Sequence, residues 1–203
     1  MSSHRTSTDV LNWRTGLPVL TSGLVTLREP GLQDVPALVS LLALNDASRF
    51  GLDELATDAA AERLIADATS QRAAGLAFTY VITMTPTRSI VGLIQMRRLD
   101  PGFEAADCDC TIAPTLRGTG VFVDAARLAV SFAFGVAGVH RIESRTLVEN
   151  GRANGALRKL GAVQEGILRR SIQHGGVWMD QALWAIVKDD WDTEPGPGTR
   201  SVH

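Results

Sequence analysis

The order of strand-like and helix-like segments constrains the fold of this chain more than any other feature of its sequence. Alternating apolar residues and helical apolar spacing predict the order β-α-α-β-β-β-α-β-α-β-β. A meander of strands followed by a crossover helix is typical of a mixed α/β layer. The predicted strands cover 24–28, 78–84, 89–97, 106–112, 141–148, 168–173 and 178–187, and the predicted helices cover 33–44, 59–74, 117–136 and 150–160.

The same order indicates a single folded unit. The 203 residues and 45% apolar content suit one domain with its own core, and no repeat or linker interrupts the middle of the chain. We therefore predict one domain at 21–191. It is flanked by an irregular arm at 1–20 and by a tail at 192–203, whose proline, glycine and polar residues predict disorder.

Composition argues against several classes of function. The net charge of -2 and the pI of about 6.1 show no basic excess, so nucleic acid is not expected as a partner. No apolar run approaches the roughly 20 residues that span a bilayer, and the first residues lack the apolar segment of a secretory signal. We expect a cytoplasmic protein without a membrane partner.

The two cysteines, Cys108 and Cys110, form a C-x-C pair. Structural zinc needs about four ligands, and neither a second cysteine pair nor suitably spaced histidines supply the others. Residues at i and i+2 of a strand are also poorly placed for a disulfide. The pair therefore predicts buried thiols that act as small apolar residues, and no metal.

A glycine loop between a predicted strand and a predicted helix is the clearest candidate binding site. The first turn of a helix has unpaired N–H groups and a partial positive charge, and Gly118 and Gly120 let a ligand approach this backbone closely. Such a turn can bind phosphate, with Arg117 adding a charge. The loop matches neither a Walker loop nor a dinucleotide fingerprint. By itself it could equally be a plain strand-to-helix turn.

The loop resembles a motif of the GNAT acyltransferase superfamily. Arg117 and Gly120 fit the pattern Arg/Gln-x-x-Gly-x-Gly/Ala, whereas Phe122 stands where a small residue is usual. Further segments resemble the RimJ/RimL branch in the same order. Two of these segments are 24–28 and 140–143. A third, 150–162, resembles the family pattern Asn-x-x-Ser/Ala … Lys-Leu-Gly-Phe, and a fourth, 165–169, resembles the pattern Glu-Gly-x-x-Arg that follows it. The likeness runs from about 24 to 191.

The resemblance implies a mostly antiparallel, mixed central sheet flanked by helices, with acyl-CoA bound between splayed central strands. It implies that the backbone near Ala113 and the two preceding residues holds pantetheine, and that N–H groups of 118–121 hold the pyrophosphate. Asn150 would contact the pantetheine or the acyl end. The implied cofactor-binding set is Thr111, Ile112, Arg117, Gly118, Thr119, Gly120, Val121 and Asn150, with acetyl-CoA or another short acyl-CoA as co-substrate.

The implied chemistry is the attack of an amine on a thioester. A base must first take a proton from the ammonium, and a strand N–H can stabilise the oxyanion. Asp107 and Asp109 alternate with the cysteines and so share one strand face. Close like charges are expected to raise at least one carboxyl pKa, which suits a base. We favour Asp107, because relatives carry an acid near it, with Asp109 and Asn150 as further catalytic candidates. Two solvated aspartates are the alternative.

Two departures from the family pattern concern the proton donor. Leu157 stands where many relatives have tyrosine, and Ala153 where the branch often has serine. The thiolate then leaves unassisted, water or Tyr80 supplies a proton, or turnover is weak.

The predicted function is transfer of an acetyl or short acyl group to a primary amine, either a peptide or protein N-terminus or a small amine. Asp53 and Glu54, together with the two strand aspartates, favour a cationic acceptor. The departures above motivate an alternative, a degenerate acyl-CoA-binding regulatory module. A scaffold that binds no CoA is a third hypothesis. Family habit also implies a homodimer.

Overall fold

A computed structural model describes residues 12–44 and 56–193 of the chain. Asp53 and Glu54, residues 1–11 of the predicted arm and the predicted tail from 194 onward lie outside the described residues. The strands within them are β1 (Leu20–Thr21), β2 (Val25–Arg28), β3 (Ala77–Met84), β4 (Ile90–Arg98), β5 (Ala105–Ile112), β6 (Arg141–Leu147), β7 (Val163–His174) and β8 (Val177–Val187). The α-helices are α1 (Val35–Ala43), α2 (Asp58–Ala73), α3 (Val121–Phe132), α4 (Gly151–Leu160) and α5 (Lys188–Thr193).

These strands form one sheet in the order β1-β2-β3-β4-β5-β6-β8-β7. The neighbours pair antiparallel except for β5 and β6, which are parallel. A parallel pair needs a crossover, and here α3 supplies it. The predicted mixed, mostly antiparallel sheet flanked by helices is confirmed.

Helices cover both faces of the sheet. On one face, α3 and α4 pack on the larger apolar core, which includes Tyr80, Met96 and Trp184. On the other face, α1 and α2 pack on a smaller core around Val81 and Leu93. We call these the α3/α4 face and the α1/α2 face. Successive strand residues alternate between them, so sequence parity tells which face each side chain occupies.

Local sequence signals account for several helix boundaries. Val35, Leu38, Leu41 and Leu42 recur at helical spacing in the first predicted helix, and all four are buried. Thr57 caps α2, since its hydroxyl accepts a hydrogen bond from the Ala60 N–H (3.2 Å). Gly161 follows α4 at φ 100°, a left-handed conformation that glycine adopts without strain.

Some elements differ from the sequence prediction. Residues 12–20, taken as part of an irregular arm, include Leu20 at the start of β1 and bring Trp13 into the core beside Phe78 and Phe103. Strand β7 begins at Val163, five residues before the prediction, because 163–168 pairs with β8 despite an irregular register. Helix α5 extends to Thr193 and so includes residues 192–193, which were assigned to the tail.

None of the helices in the described residues is long and apolar enough to cross a membrane. Cys108 is buried and Cys110 partly buried, and neither forms a disulfide. Burial raises the pKa of Cys108 well above its usual value, which agrees with the predicted apolar role.

Candidate active site

A cleft opens where β5 and β6 separate. The two strands pair through three residue rows, ending at Asp107 opposite Glu143. One row later, the Ser144 hydroxyl donates to the Cys108 carbonyl (3.0 Å). Beyond this point β5 stays paired with β4 as far as Ile112, while β6 stays paired with β8. The outer partners therefore hold the two strands apart.

The backbone of β5 presents alternate residues to this gap. In an antiparallel pair, alternate residues turn their N–H and C=O toward the partner. The Ala113 N–H donates to the Val91 carbonyl on the β4 side (2.8 Å), so Ile112 and Cys110 direct theirs toward β6. The Cys108 carbonyl, which accepts from Ser144 on β6, fits this alternation. The backbone near Ala113 was expected to hold pantetheine. The N–H and C=O of Ile112 face the gap and can do so, whereas the Ala113 N–H is hydrogen-bonded to Val91.

The cleft has a volume of about 630 Å³ and passes through the sheet. Apolar residues of α3 and α4 line it on one face, among them Phe122, Ala126 and Leu157. On the α1/α2 face it is lined by polar residues that include Asp109, Arg145 and Gln181. Two reactants could therefore approach the gap from opposite faces.

The glycine loop lies at one end of the cleft. Gly118 and Gly120 have φ of 88° and 93°, and a Cβ at either position would meet no atom within 4 Å. The first bond of α3 runs from the Asp124 N–H to the Gly120 carbonyl (3.0 Å). The N–H groups of Val121 and of the next two residues therefore have no helical partner. Open space beside these N–H groups suits an anion.

The structure brings most, but not all, of the predicted cofactor residues to the cleft surface. Thr111, Ile112, Arg117, Gly118 and Asn150 line it. The remaining three contribute differently. The Thr119 hydroxyl donates to the Leu116 carbonyl (2.7 Å), the Val121 side chain is buried in the core, and Gly120 caps α3.

Asn150 begins α4 at the opposite side of the gap from the loop. Its side-chain oxygen accepts from the Ala153 N–H (3.1 Å), which makes it the N-cap of the helix. Its amide nitrogen makes no hydrogen bond to the described residues. The amide nitrogen can therefore make the contact to pantetheine or the acyl end that was predicted for Asn150, while the side-chain oxygen stabilises the start of the helix.

Asp107 and Asp109 share the α1/α2 face, as the alternation predicted. Both carboxylates bind Arg97 Nη2, at 2.6 Å and 2.9 Å. Burial alone would lower the pKa of Arg97, but the Asp107 hydrogen bond and the two negative charges outweigh it and raise the pKa. Arg97 therefore offsets the repulsion expected between the two carboxylates. Only Asp109 lines the cleft, because Asp107 lies in the last row where the strands are still paired.

Comparison with known proteins agrees with this geometry. A model of the acetyltransferase (GNAT) domain matches residues 25–163, more than half of the chain. The chain belongs to the GNAT acetyltransferase family. This confirms the family named from the sequence motifs.

Individual relatives within the GNAT family match shorter stretches. The chain is 37% identical over 73 residues to the probable N-acetyltransferase YjcK of Bacillus subtilis, covering 36% of this chain and 40% of that protein. It is 24% identical over 106 residues to the putative ribosomal N-acetyltransferase YdaF of the same organism, covering 52% and 58%. Mycobacterium smegmatis RimJ, solved in complex with CoA-disulfide, superimposes with a TM-score of 0.75 at 20% identity, covering 88% of this chain and 90% of that one.

The three residues that depart from the GNAT pattern are Phe122, Ala153 and Leu157. Ala153 and Leu157 bring no hydroxyl to α4, and all three line the cleft. Tyr80 does not line it, because its ring is buried in the core and its hydroxyl donates to the Pro18 carbonyl (3.2 Å). Burial raises the pKa of Tyr80 above its usual value, with the charge of Glu29 adding to the effect. Tyr80 is therefore a core residue, and the alternative in which it supplies a proton is wrong.

Asn154 organises the GNAT cleft and was missed from the sequence. Its side-chain oxygen accepts from Trp184 Nε1 (2.9 Å) and from the Thr146 hydroxyl. Its amide nitrogen donates to the carbonyls at the end of β6 and the start of α4, namely those of Leu147 (3.0 Å), Val148 (3.2 Å) and Asn150 (2.9 Å). A polar residue in a helix beside an Asn N-cap is the one signal that could have indicated it.

Two segments used for the family resemblance meet through an ion pair outside the cleft. Arg141 donates to both carboxylate oxygens of Glu165, with Nη1 at 2.8 Å, and its Nε donates to Glu143 (3.0 Å). The Arg141 hydrogen bonds lower the pKa of Glu165. The ion pair links β6 to β7. Arg141 and Glu165 therefore have a structural role outside the cleft.

Proposed function

We propose that the protein transfers an acetyl or short acyl group from acyl-CoA to a primary amine. The observation that carries the proposal is the cleft itself. It passes through the sheet between strands that have separated, with unpaired N–H groups at one end and a carboxylate on the opposite face. This arrangement can hold a thioester in the gap and admit an amine from the other side.

The cleft fits acyl-CoA in its chemistry. The N–H groups at the start of α3, with Arg117 nearby, suit the pyrophosphate. The backbone of Ile112 and the Asn150 amide nitrogen suit the polar atoms of pantetheine, and Phe122 and Leu157 supply apolar contacts. CoA or acetyl-CoA is present in solved GNAT structures similar to this chain, which supports the same co-substrate here.

We propose Asp109 rather than Asp107 as the group that takes the proton, because Asp109 lines the cleft. The deprotonated nitrogen bonds to the acyl carbon, and the carbon–sulfur bond breaks to release a thiolate. An N–H of β5 that points into the gap can stabilise the oxyanion. With Ala153 and Leu157 in α4, no hydroxyl at these two positions protonates the departing thiolate.

Charge and the relatives support the choice of acceptor. Asp109 places a carboxylate on this face of the cleft, which favours an ammonium. YdaF is named as a putative ribosomal N-acetyltransferase and RimJ is a structural neighbour, so a protein or peptide N-terminus is the acceptor we favour over a small amine. The cytoplasm and a homodimer stay predictions.

A regulatory module that binds acyl-CoA without efficient turnover is the second candidate. Phe122 lines the groove at a position that is small in the family pattern, and α4 lacks a hydroxyl donor at 153 and 157. Both candidates bind acyl-CoA, so turnover separates them.

The test is thiol release from acetyl-CoA against a panel of peptides and small amines, with Asp109→Asn and Asp107→Asn compared. For Asp109→Asn we expect kcat/KM to fall by about 10²–10⁴, and for Asp107→Asn by much less. Both variants break one contact to Arg97, so each controls for the other's effect on that ion pair. Equal losses would contradict the role of Asp109. Acetyl-CoA binding without turnover on any amine would favour the regulatory module.

A further inference from the structure

Three polar side chains surround the cleft on its α1/α2 face, each from a different strand. Asp109 comes from β5, Arg145 from β6 and Gln181 from β8, and all three line the cleft. The parity of β6 and β8 places Arg145 and Gln181 on the side opposite Ile142 and Trp184, which belong to the α3/α4 core. This face is where the proposed acceptor would enter.

The β5 side of this entrance carries carboxylates. Asp107 and Asp109 both bind Arg97 Nη2, and Asp109 lines the cleft. An incoming ammonium can meet the Asp109 carboxylate there, which suits the reacting amine.

The β6 side is different, because Arg145 is held only weakly. Its one described ion pair is to Glu143, with Nη2 and Oε2 3.7 Å apart, and its side chain is 45% exposed. Glu143 already accepts from Arg141 Nε at 3.0 Å. Arg145 therefore keeps guanidinium N–H groups that can turn toward a ligand.

Gln181 adds a donor next to Arg145. The residue is only 9% exposed, and its side-chain oxygen accepts from the Ser171 hydroxyl (3.0 Å). Its amide nitrogen has no partner among the described residues. Because Gln181 lines the cleft, this amide N–H can donate to a ligand oxygen there.

We propose that the acceptor carries a carboxylate beside its amine, which Arg145 and Gln181 bind while the ammonium meets Asp109. The inference rests on the proposed transferase function and narrows its acceptor class. Guanidinium binds carboxylate with two parallel N–H bonds, so the site distinguishes an acid from its amide. The carboxylate is either an acidic side chain following the N-terminal residue of a peptide or the carboxylate of a free amino acid.

The test uses pairs of acceptors that differ only in charge. One pair is Ala-Glu-Ala-amide and Ala-Gln-Ala-amide, and the other is serine and serine amide. For the native protein we expect kcat/KM to be about tenfold higher for the carboxylate-bearing member than for the amide. The peptide pair shows this preference if the natural acceptor is a peptide, and the serine pair shows it if the natural acceptor is a free amino acid. In Arg145→Gln we expect this ratio to fall to about two or less. The control Arg98→Gln removes an exposed arginine outside the cleft and should keep the native ratio.

Calorimetric binding of the same peptides in the presence of CoA gives a second readout that needs no turnover. A preference for the acid that depends on Arg145 in either assay supports the proposal. Turnover of both members of each pair with equal kcat/KM would overturn the proposal while leaving the transferase function intact. Acetyl-CoA binding without turnover of any amine would instead count against the transferase function, and the peptide-binding ratio would then decide the carboxylate site.

Discussion

Replacing Asn154 with alanine should destabilise the protein and loosen the start of α4. The substitution removes the acceptor of two buried donors, Trp184 Nε1 and the Thr146 hydroxyl. A buried donor left without a partner costs about 1–3 kcal/mol. The carbonyls that lose their donor lie nearer the surface, where water replaces it. For the two donors together we therefore expect the free energy of unfolding to fall by about 2–6 kcal/mol.

Urea denaturation followed by tryptophan fluorescence measures this change, read as a lower midpoint at an unchanged m-value. The melting temperature should fall by about 4–24 °C, since 1 kcal/mol corresponds to roughly 2–4 °C at this chain length. Asn150→Ala is the matched control, because it removes one N-cap bond of the same helix and should cost about 1 kcal/mol. A loss for Asn154→Ala no larger than that of Asn150→Ala would refute the reasoning.

Three further changes test other parts of the account. Burial alone would raise the pKa of Asp34, but hydrogen bonds from Arg28 and the backbone lower it. Its stabilisation is therefore present above the ordinary carboxyl pKa of about 4 and lost as pH falls further, so the native protein should lose stability more steeply below that pH than Asp34→Asn does. Tyr80→Phe should cost about 0.5–1.5 kcal/mol while kcat/KM stays within about twofold, and a tenfold drop would restore Tyr80 as a proton donor. In Gly92→Ala the new Cβ would lie 2.4 Å from the carbonyl oxygen of Thr111 and so push on a strand residue that lines the cleft. Calorimetry should then show weaker acetyl-CoA binding, and unchanged affinity would contradict this.

Features set by neighbouring residues could be predicted from the sequence. The N-cap at Thr57, the apolar spacing of α1 and the glycine at 161 each act within about one helical turn. The alternation of aspartates and cysteines likewise fixed which side chains of β5 share a face. These signals gave the element order, and the motif order then gave the fold.

Contacts between distant residues could not be predicted in the same way. Arg97 meets the two aspartates only because β4 and β5 pair in the register that sets Arg97 opposite Asp107. Trp13 entered the core from a segment without periodicity. Asp109 rather than Asp107 lines the cleft because of where β5 and β6 stop pairing, and no local pattern encodes that point.

The most direct test of the account is calorimetric titration of the purified protein with acetyl-CoA, beside Gly120→Glu and Gly138→Glu. Gly138 has φ 83° and lies beyond the other end of the α3 segment, so this control introduces the same side chain and the same left-handed backbone strain away from the loop. We predict that the native protein and Gly138→Glu bind alike, and that Gly120→Glu weakens binding by about a hundredfold or more, because its carboxylate repels the pyrophosphate. Absence of native binding, or equal binding by Gly120→Glu, would contradict the central claim that the glycine loop and the cleft bind acyl-CoA.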